Sequence, residues 1–141
     1  MVQHVLVPVD GSRTSVRGLE YALTEHSDAD ITVLHVADPL ETMYEAPGNH
    51  LNEWNEWYER ARDRANGTFA DAEALAEEYG VELTTETVVG RPARTIVDYA
   101  ETHDIDQIIV GSHGRTESRV QLGSVADAVV QRSPVSVLVV R

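Results

Sequence analysis

The sequence predicts an α/β domain built on a doubly wound parallel sheet. Three observations carry that prediction. Short β-branched, apolar runs alternate strictly with amphipathic helical stretches, the pattern of βαβ units with right-handed crossovers. The chain has 141 residues, about one domain's length and enough to bury a core. Its composition, 42% hydrophobic and 25% charged, is that of a globular protein.

The elements follow in order. Residues 2–9 alternate loosely between β-branched and polar types and end at Asp10-Gly11-Ser12, a strand followed by a turn. Residues 14–26 read as a helix with Val16, Leu19, Tyr21, Ala22 and Leu23 on its apolar stripe. Residues 31–36 are apolar almost throughout, as in a strand covered on both faces. Pro39, Pro47, Gly48 and Asn49 make 38–50 a loop. From 51 to 79 apolar residues recur at three or four: Trp54, Tyr58, Ala61, Ala65, Phe69, Ala72, Leu75, Ala76 and Tyr79 among them. Asn66-Gly67 weakens the middle of that helix, and Gly80 is placed to stop it. A third strand covers 82–89. Pro92 sits in the first turn of a helix carrying Ala93, Ile96, Val97 and Ala100. A fourth strand covers 107–110, a fourth helix Ser124–Arg132, and a fifth strand 135–141. Neither an internal repeat nor a linker interrupts the series, so residues 1–141 are expected to form a single domain.

Composition excludes several chemistries. The chain has no cysteine, which removes disulfides, thiol nucleophiles, iron–sulfur clusters and the usual zinc ribbons. All 11 basic residues are arginine, so a Walker lysine and a lysine Schiff base are excluded as well. Against them stand 24 carboxylates, for a net charge of −13. Such a surface argues against nucleic acid or an anionic membrane as partner. Acidic excess without lysine points to a salt-loving host, because concentrated salt shortens the reach of self-repulsion to about 3 Å. No apolar run approaches the roughly 20 residues of a membrane span, and the start shows no basic leader, so a cytoplasmic protein is expected.

In an open α/β sheet, ligands bind beyond the carboxyl ends of the strands, where strand order reverses. Three segments end there: Pro8 to Ser12 after strand one, His35 to Asp38 after strand two, and Gly111-Ser112-His113-Gly114-Arg115 after strand four. The third continues to Gly123-Ser124-Val125 at the start of a helix. Glycines at 111 and 114 allow close backbone approach and positive φ. A helix N-terminus favours an anion such as phosphate. Ser124 followed by Asp127 equally resembles a capping box, in which Ser124 would serve its own helix.

Gly-x-x-Gly, a short spacer and Gly-Ser, followed by a helix and the strand Pro-Val-Ser-Val-Leu-Val-Val, resemble the universal stress protein family. The opening Val-Leu-Val-Pro-Val-Asp-Gly-Ser and the Leu-His-Val at the end of strand two match it too. The resemblance covers essentially the whole chain. It implies a Rossmann-like five-stranded sheet in the order 3-2-1-4-5, a homodimer, and an adenine nucleotide: ATP with Mg²⁺, or AMP or ADP. Pro8, Asp10 and Val36 match positions that hold the nucleoside in ATP-binding members. Val110, Gly111, Gly114, Gly123, Ser124 and Val125 match those that hold ribose and phosphates. One departure is visible. The family pattern has about nine residues between the second glycine and Gly-Ser, whereas 115–122 supplies eight and includes Glu117. In the order 3-2-1-4-5 the last strand is an edge, and Val135, Val137, Leu138, Val139 and Val140 make it too apolar to stay open. Pairing two copies of it about a two-fold would close that edge.

Other residues carry weaker signals. The six histidines show no paired metal spacing. His35 reads as a hydrogen-bonded residue inside an apolar strand; His113 reads either as a phosphate neighbour or as a solvated loop residue. Arg13, Arg115 and Arg119 could offset phosphate charge but equally sit on a solvated surface. Trp54, Trp57 and Tyr58 read as helix packing. Pro8 is unusual in a central strand, and fits if it ends the ladder beside a ligand. No general base, nucleophile pair or lysine is positioned for efficient catalysis, so no catalytic residue is assigned. The leading expectation is thus a nucleotide-responsive binding protein. A scaffold that has lost the nucleotide comes second. An ATP-hydrolysing enzyme of the related α-hydrolase group comes third, since Asp10-Gly11-Ser12-Arg13 is not that group's Ser-Gly-Gly loop.

Overall fold

The computed structural model describes residues 2–40, 51–112 and 122–141, the first three residues of the second stretch as backbone alone. Five parallel strands lie in the order β3-β2-β1-β4-β5: β1 (His4–Pro8), β2 (Asp30–Ala37), β3 (Leu83–Val89), β4 (Gln107–Gly111) and β5 (Ser136–Val140). Between them run α1 (Arg13–Glu25), α2 (Leu51–Glu78), α3 (Pro92–Thr102) and α4 (Ser124–Arg132). The α/β class, the strand order and the helices agree with the sequence, element by element, to within two residues at most ends.

Alternation along the strands divides the core in two. Val5, Val7 and Val9 of the first strand segment point to one face and meet Leu19, Ala22 and Leu23 of α1 and Ala65, Phe69 and Ala72 of α2. Leu6 points to the other face, with Ile96, Tyr99 and Ala100 of α3 and Ala126 and Val129 of α4. Fully burying each such Leu, Ile or Val side chain contributes about 1.5–3 kcal/mol relative to leaving it exposed. The outer strand β3 alternates between half-buried and exposed residues, as an edge strand should, whereas β2 is buried along most of its length.

Four details depart from the sequence reading. Val16 and Tyr21 of α1 are exposed, because the helix turns Ser15, Gly18, Leu19 and Ala22 to the sheet and Gly18 lets it sit against Ile109. On α2, Trp54 and Tyr58 are exposed, as is Tyr79 just past its end, while Trp57 is buried with Ala37 and Ala61. Asn66-Gly67 does not interrupt α2, which runs unbroken to Glu78. Finally, Pro39 and Leu40 are helical rather than loop. Asp38 accepts the Leu40 N–H at 2.9 Å, and proline suits the first helical position. The remainder of the expected loop, with Pro47, Gly48 and Asn49, lies outside the described residues.

Candidate functional site

A cavity of about 540 Å³ opens at the carboxyl edge of the sheet, where β1 separates the windings of β2 and β4. Pro8 helps to make it. The N–H of Val9 donates to Leu34 on β2 at 2.9 Å, and successive N–H groups of a strand face opposite sides. The donor that Pro8 lacks would therefore face β4, and the β1–β4 register runs only through Leu6↔Ile108. The ladder ends where the cavity begins, as proline in this central strand requires.

The loop after β1 is held by its own polar groups. Asp10 accepts the Ser12 N–H at 2.8 Å, Gly11 takes φ +81°, and Ser12 caps α1 by accepting the Ser15 N–H at 3.2 Å. One Asp10 oxygen is thereby committed to the loop, and the carboxylate still lines the cavity. At the end of β2, the Gly90 N–H donates to Ala37 O at 3.0 Å, and Asp38 lies 3.9 Å from Arg91. His35 sets its ring edge-on against Phe69, with centroids 6.4 Å apart.

After β4, the buried Ser112 joins two contacts. Its N–H donates to Val140 O at 2.7 Å, and its carbonyl accepts the Gly123 N–H at 2.6 Å. Gly123 is the N-cap of α4 and gives no side-chain cap, so the sequence's capping box is not formed: Ser124 is the first helical residue instead of the cap. Among the described residues, the first turn of α4 thus has no side-chain cap from its N-cap residue, the arrangement that favours an anion. Gly111 does not take positive φ. It is needed for packing: a Cβ there would stand 2.8 Å from the Thr14 carbonyl carbon and 2.9 Å from the Ser15 nitrogen.

Pro8, Asp10 and Val36 line the cavity from β1 and β2, and Val110, Gly111, Gly123 and Val125 line it from β4 and α4. Ser124 sits beside them at the start of α4. Gly114, His113, Arg115, Glu117 and Arg119 lie outside the described residues. Of the weaker candidates, His35 and Trp57 also line the cavity; Arg13 does not. Among the described residues, no group of three or more His, Asp or Glu side chains is placed to hold a metal ion.

One wall was not legible in the sequence. Trp57, Ala61, Arg64 and Thr68 of α2 line the cavity from above. Their spacing of four, three and four puts them on one helical face. The apolar periodicity hid this face, because it overlaps the stripe that enters the core. Trp57 is buried, and among the described residues its Nε1 has no hydrogen-bond partner.

Comparisons with known proteins agree with this architecture. The model of the universal stress protein family matches residues 1–141. Universal stress protein MJ0531 of Methanocaldococcus jannaschii is 30% identical over the whole of this chain and 83% of its own length. The structure of MJ0577 from the same organism superposes with a TM-score of 0.85 at 30% identity, covering 99% of this chain and 96% of that one. A universal stress protein in complex with cAMP superposes with a TM-score of 0.72 at 26% identity, covering 99% and 97%. With a family model matched from its first residue to its last, the chain belongs to the universal stress protein family.

Proposed function

We propose that this protein binds an adenine nucleotide, ATP with Mg²⁺, at the carboxyl edge of its sheet and acts in the cytoplasm as a dimeric, nucleotide-responsive stress regulator. The observation that carries the reading is the cavity itself. It combines apolar walls, a carboxylate at Asp10 and the uncapped start of α4 at the switch point of the sheet. Val36, Ala37, Ile96, Val110 and Val125 offer an apolar surface to a base and ribose. Gly123, Ser124 and Val125 offer the helix N-terminus to phosphate. A relative of the same fold carries cAMP, which supports an adenine nucleotide as the ligand class. A Mg²⁺ ion would travel with the phosphates, since it keeps several waters and needs few protein ligands.

Dimerisation is proposed through β5. This strand lies at the sheet edge beyond β4, and Val137, Leu138, Val139 and Val140 along it are only half-buried. Val130 of the neighbouring α4 is exposed. An edge of this kind is covered most economically by a second copy about a two-fold.

Calorimetry in molar KCl tests the ligand: one equivalent of ATP is expected to bind, and Gly123→Val to abolish binding by filling the space beside the phosphates. Absence of both heat and thermal shift at millimolar ATP would return the protein to the scaffold reading. Light scattering in the same buffer tests the assembly, for which twice the 15.6 kDa chain mass is expected. A monomer at micromolar concentration refutes it.

A further inference from the structure

Arg64 is the arginine among the described residues that line the cavity. Its placement on α2 is informative. In a chain with 24 carboxylates, most helical arginines find one within a turn: Arg60 has Glu56 and Asp63, and Arg62 has Glu59. The corresponding neighbours of Arg64 are Arg60, Ala61, Gly67 and Thr68, none of them acidic. Among the described residues Arg64 makes no ion pair, and neither do Arg60 and Arg62; the pairs formed are Arg91–Asp38 and Arg94–Asp98. Gly67, one turn on, leaves open space where a side chain would stand.

The position along the cavity is equally specific. Trp57 and Ala61 pack on Ala37 at the end of β2. Thr68 lies over the loop after β1, its hydroxyl 3.7 Å from where a Gly11 Cβ would stand. Arg64 is between them, on the sheet face covered by α1 and α2, whereas the start of α4 approaches from the opposite face. Neighbouring strand ends are about 5 Å apart, so a phosphate at α4 lies within a strand or two of this guanidinium. The two positive features border the same cavity from opposite faces of the sheet. The other charged side chains of the cavity wall, Asp10 and Asp38, would repel it.

We infer that Arg64 is a specificity-determining residue that reads the phosphates of the bound nucleotide, selecting phosphorylated over unphosphorylated nucleosides. This rests on the nucleotide-binding reading of the cavity. It also supplies what a protein of net charge −13 needs in order to hold a polyanion: a cation on the cavity wall that pairs with no carboxylate among the described residues.

The test compares Arg64→Gln with Arg60→Gln, which removes the same charge from α2 away from the cavity. Both arginines are exposed, so both variants should fold. Titrating each with ATP, AMP and adenosine by calorimetry at fixed salt, Arg64→Gln is expected to lose about tenfold in ATP affinity. Arg60→Gln should stay within about twofold of the wild type, and Arg64→Gln should leave adenosine affinity unchanged. Raising KCl should weaken ATP binding less steeply in Arg64→Gln than in the wild type. Equal losses in the two variants, or a loss for adenosine matching that for ATP, overturn the inference while leaving nucleotide binding in place. A wild-type protein that binds none of the three overturns both.

Discussion

Replacing Gly111 by alanine puts the close approach of α1 to the end of β4 to a direct test. The added Cβ would meet Thr14 Oγ1 at 2.7 Å, the Thr14 carbonyl carbon at 2.8 Å and the Ser15 nitrogen at 2.9 Å. A rotamer change of Thr14 relieves only the first. The other two are backbone of α1's first turn, which must retreat by about 0.7 Å to restore ordinary carbon contacts near 3.5 Å. That turn is anchored by the Ser12 cap and by the Asp10 carboxylate, so retreat strains both. Overpacking of this kind costs about 1–3 kcal/mol, and the rigid partner places Gly111→Ala toward the upper end. For a chain of this size 1 kcal/mol moves the Tm by about 3–4 °C, so a fall of roughly 6–12 °C is expected by circular dichroism. ATP affinity should fall in parallel, because the displaced turn carries the Asp10–Gly11 wall. A Tm within about 1 °C of wild type would show that α1 is not seated against β4 as described.

Four further outcomes follow from the same structure. Gly67→Ala lies in a helix interior with open space at the new Cβ, so it should stabilise by about 0.5–1 kcal/mol, raising the Tm by a few degrees. Asp106 accepts the N–H groups of Gln3 and His4 at 2.9 and 2.8 Å, which holds its carboxyl below the unfolded value of 3.8. Its contribution is therefore present above that value and lost as pH falls through the lower, folded one. Asp106→Asn should lower the Tm at neutral pH, with the difference from wild type closing in acid. Burial and the bond from its hydroxyl to Glu86 push Tyr99 up to about 12 from 10.0, so the folded state favours the neutral phenol. Stability from Tyr99 is full below pH 10 and declines as pH rises toward 12; absorbance titration should find one late-ionising tyrosine that Tyr99→Phe removes. Melting temperature should also climb steeply from dilute buffer to molar KCl, and a flat curve would dissociate the acidic composition from salt adaptation.

What the sequence made legible was whatever repeats with a fixed period or sits on a chain-local motif. Strand alternation and the helix starts at Pro92 and Ser124 are local, and both were placed within a residue or two. The glycines after β1 and β4 were likewise found from local signals, although Gly111 serves α1 rather than a positive φ. Exposure on α1 and α2 was less legible. Val16, Tyr21, Trp54 and Tyr58 fit an apolar period, but which arc of a helix faces the sheet is decided by tertiary packing, here by Gly18 and the alanines of α2. Arg64 was hidden for a different reason. Nothing within α2 says that its middle turns overhang the carboxyl edge; that follows only from the crossover geometry.

The two hydrogen bonds of Ser112 have a consequence for how this site can change over generations. By clasping Gly123 on one side and Val140 on the other, Ser112 fixes both ends of the intervening ten residues to the sheet. Between two such anchors chain length is weakly constrained in general: one residue more or less alters closure entropy by only about 0.1 kcal/mol. On that scale the difference between the eight residues at 115–122 and the family pattern's roughly nine is small in closure entropy. Grafting a longer version from a relative between Ser112 and Gly123 should retune the site's selectivity while the scaffold melts at an unchanged temperature.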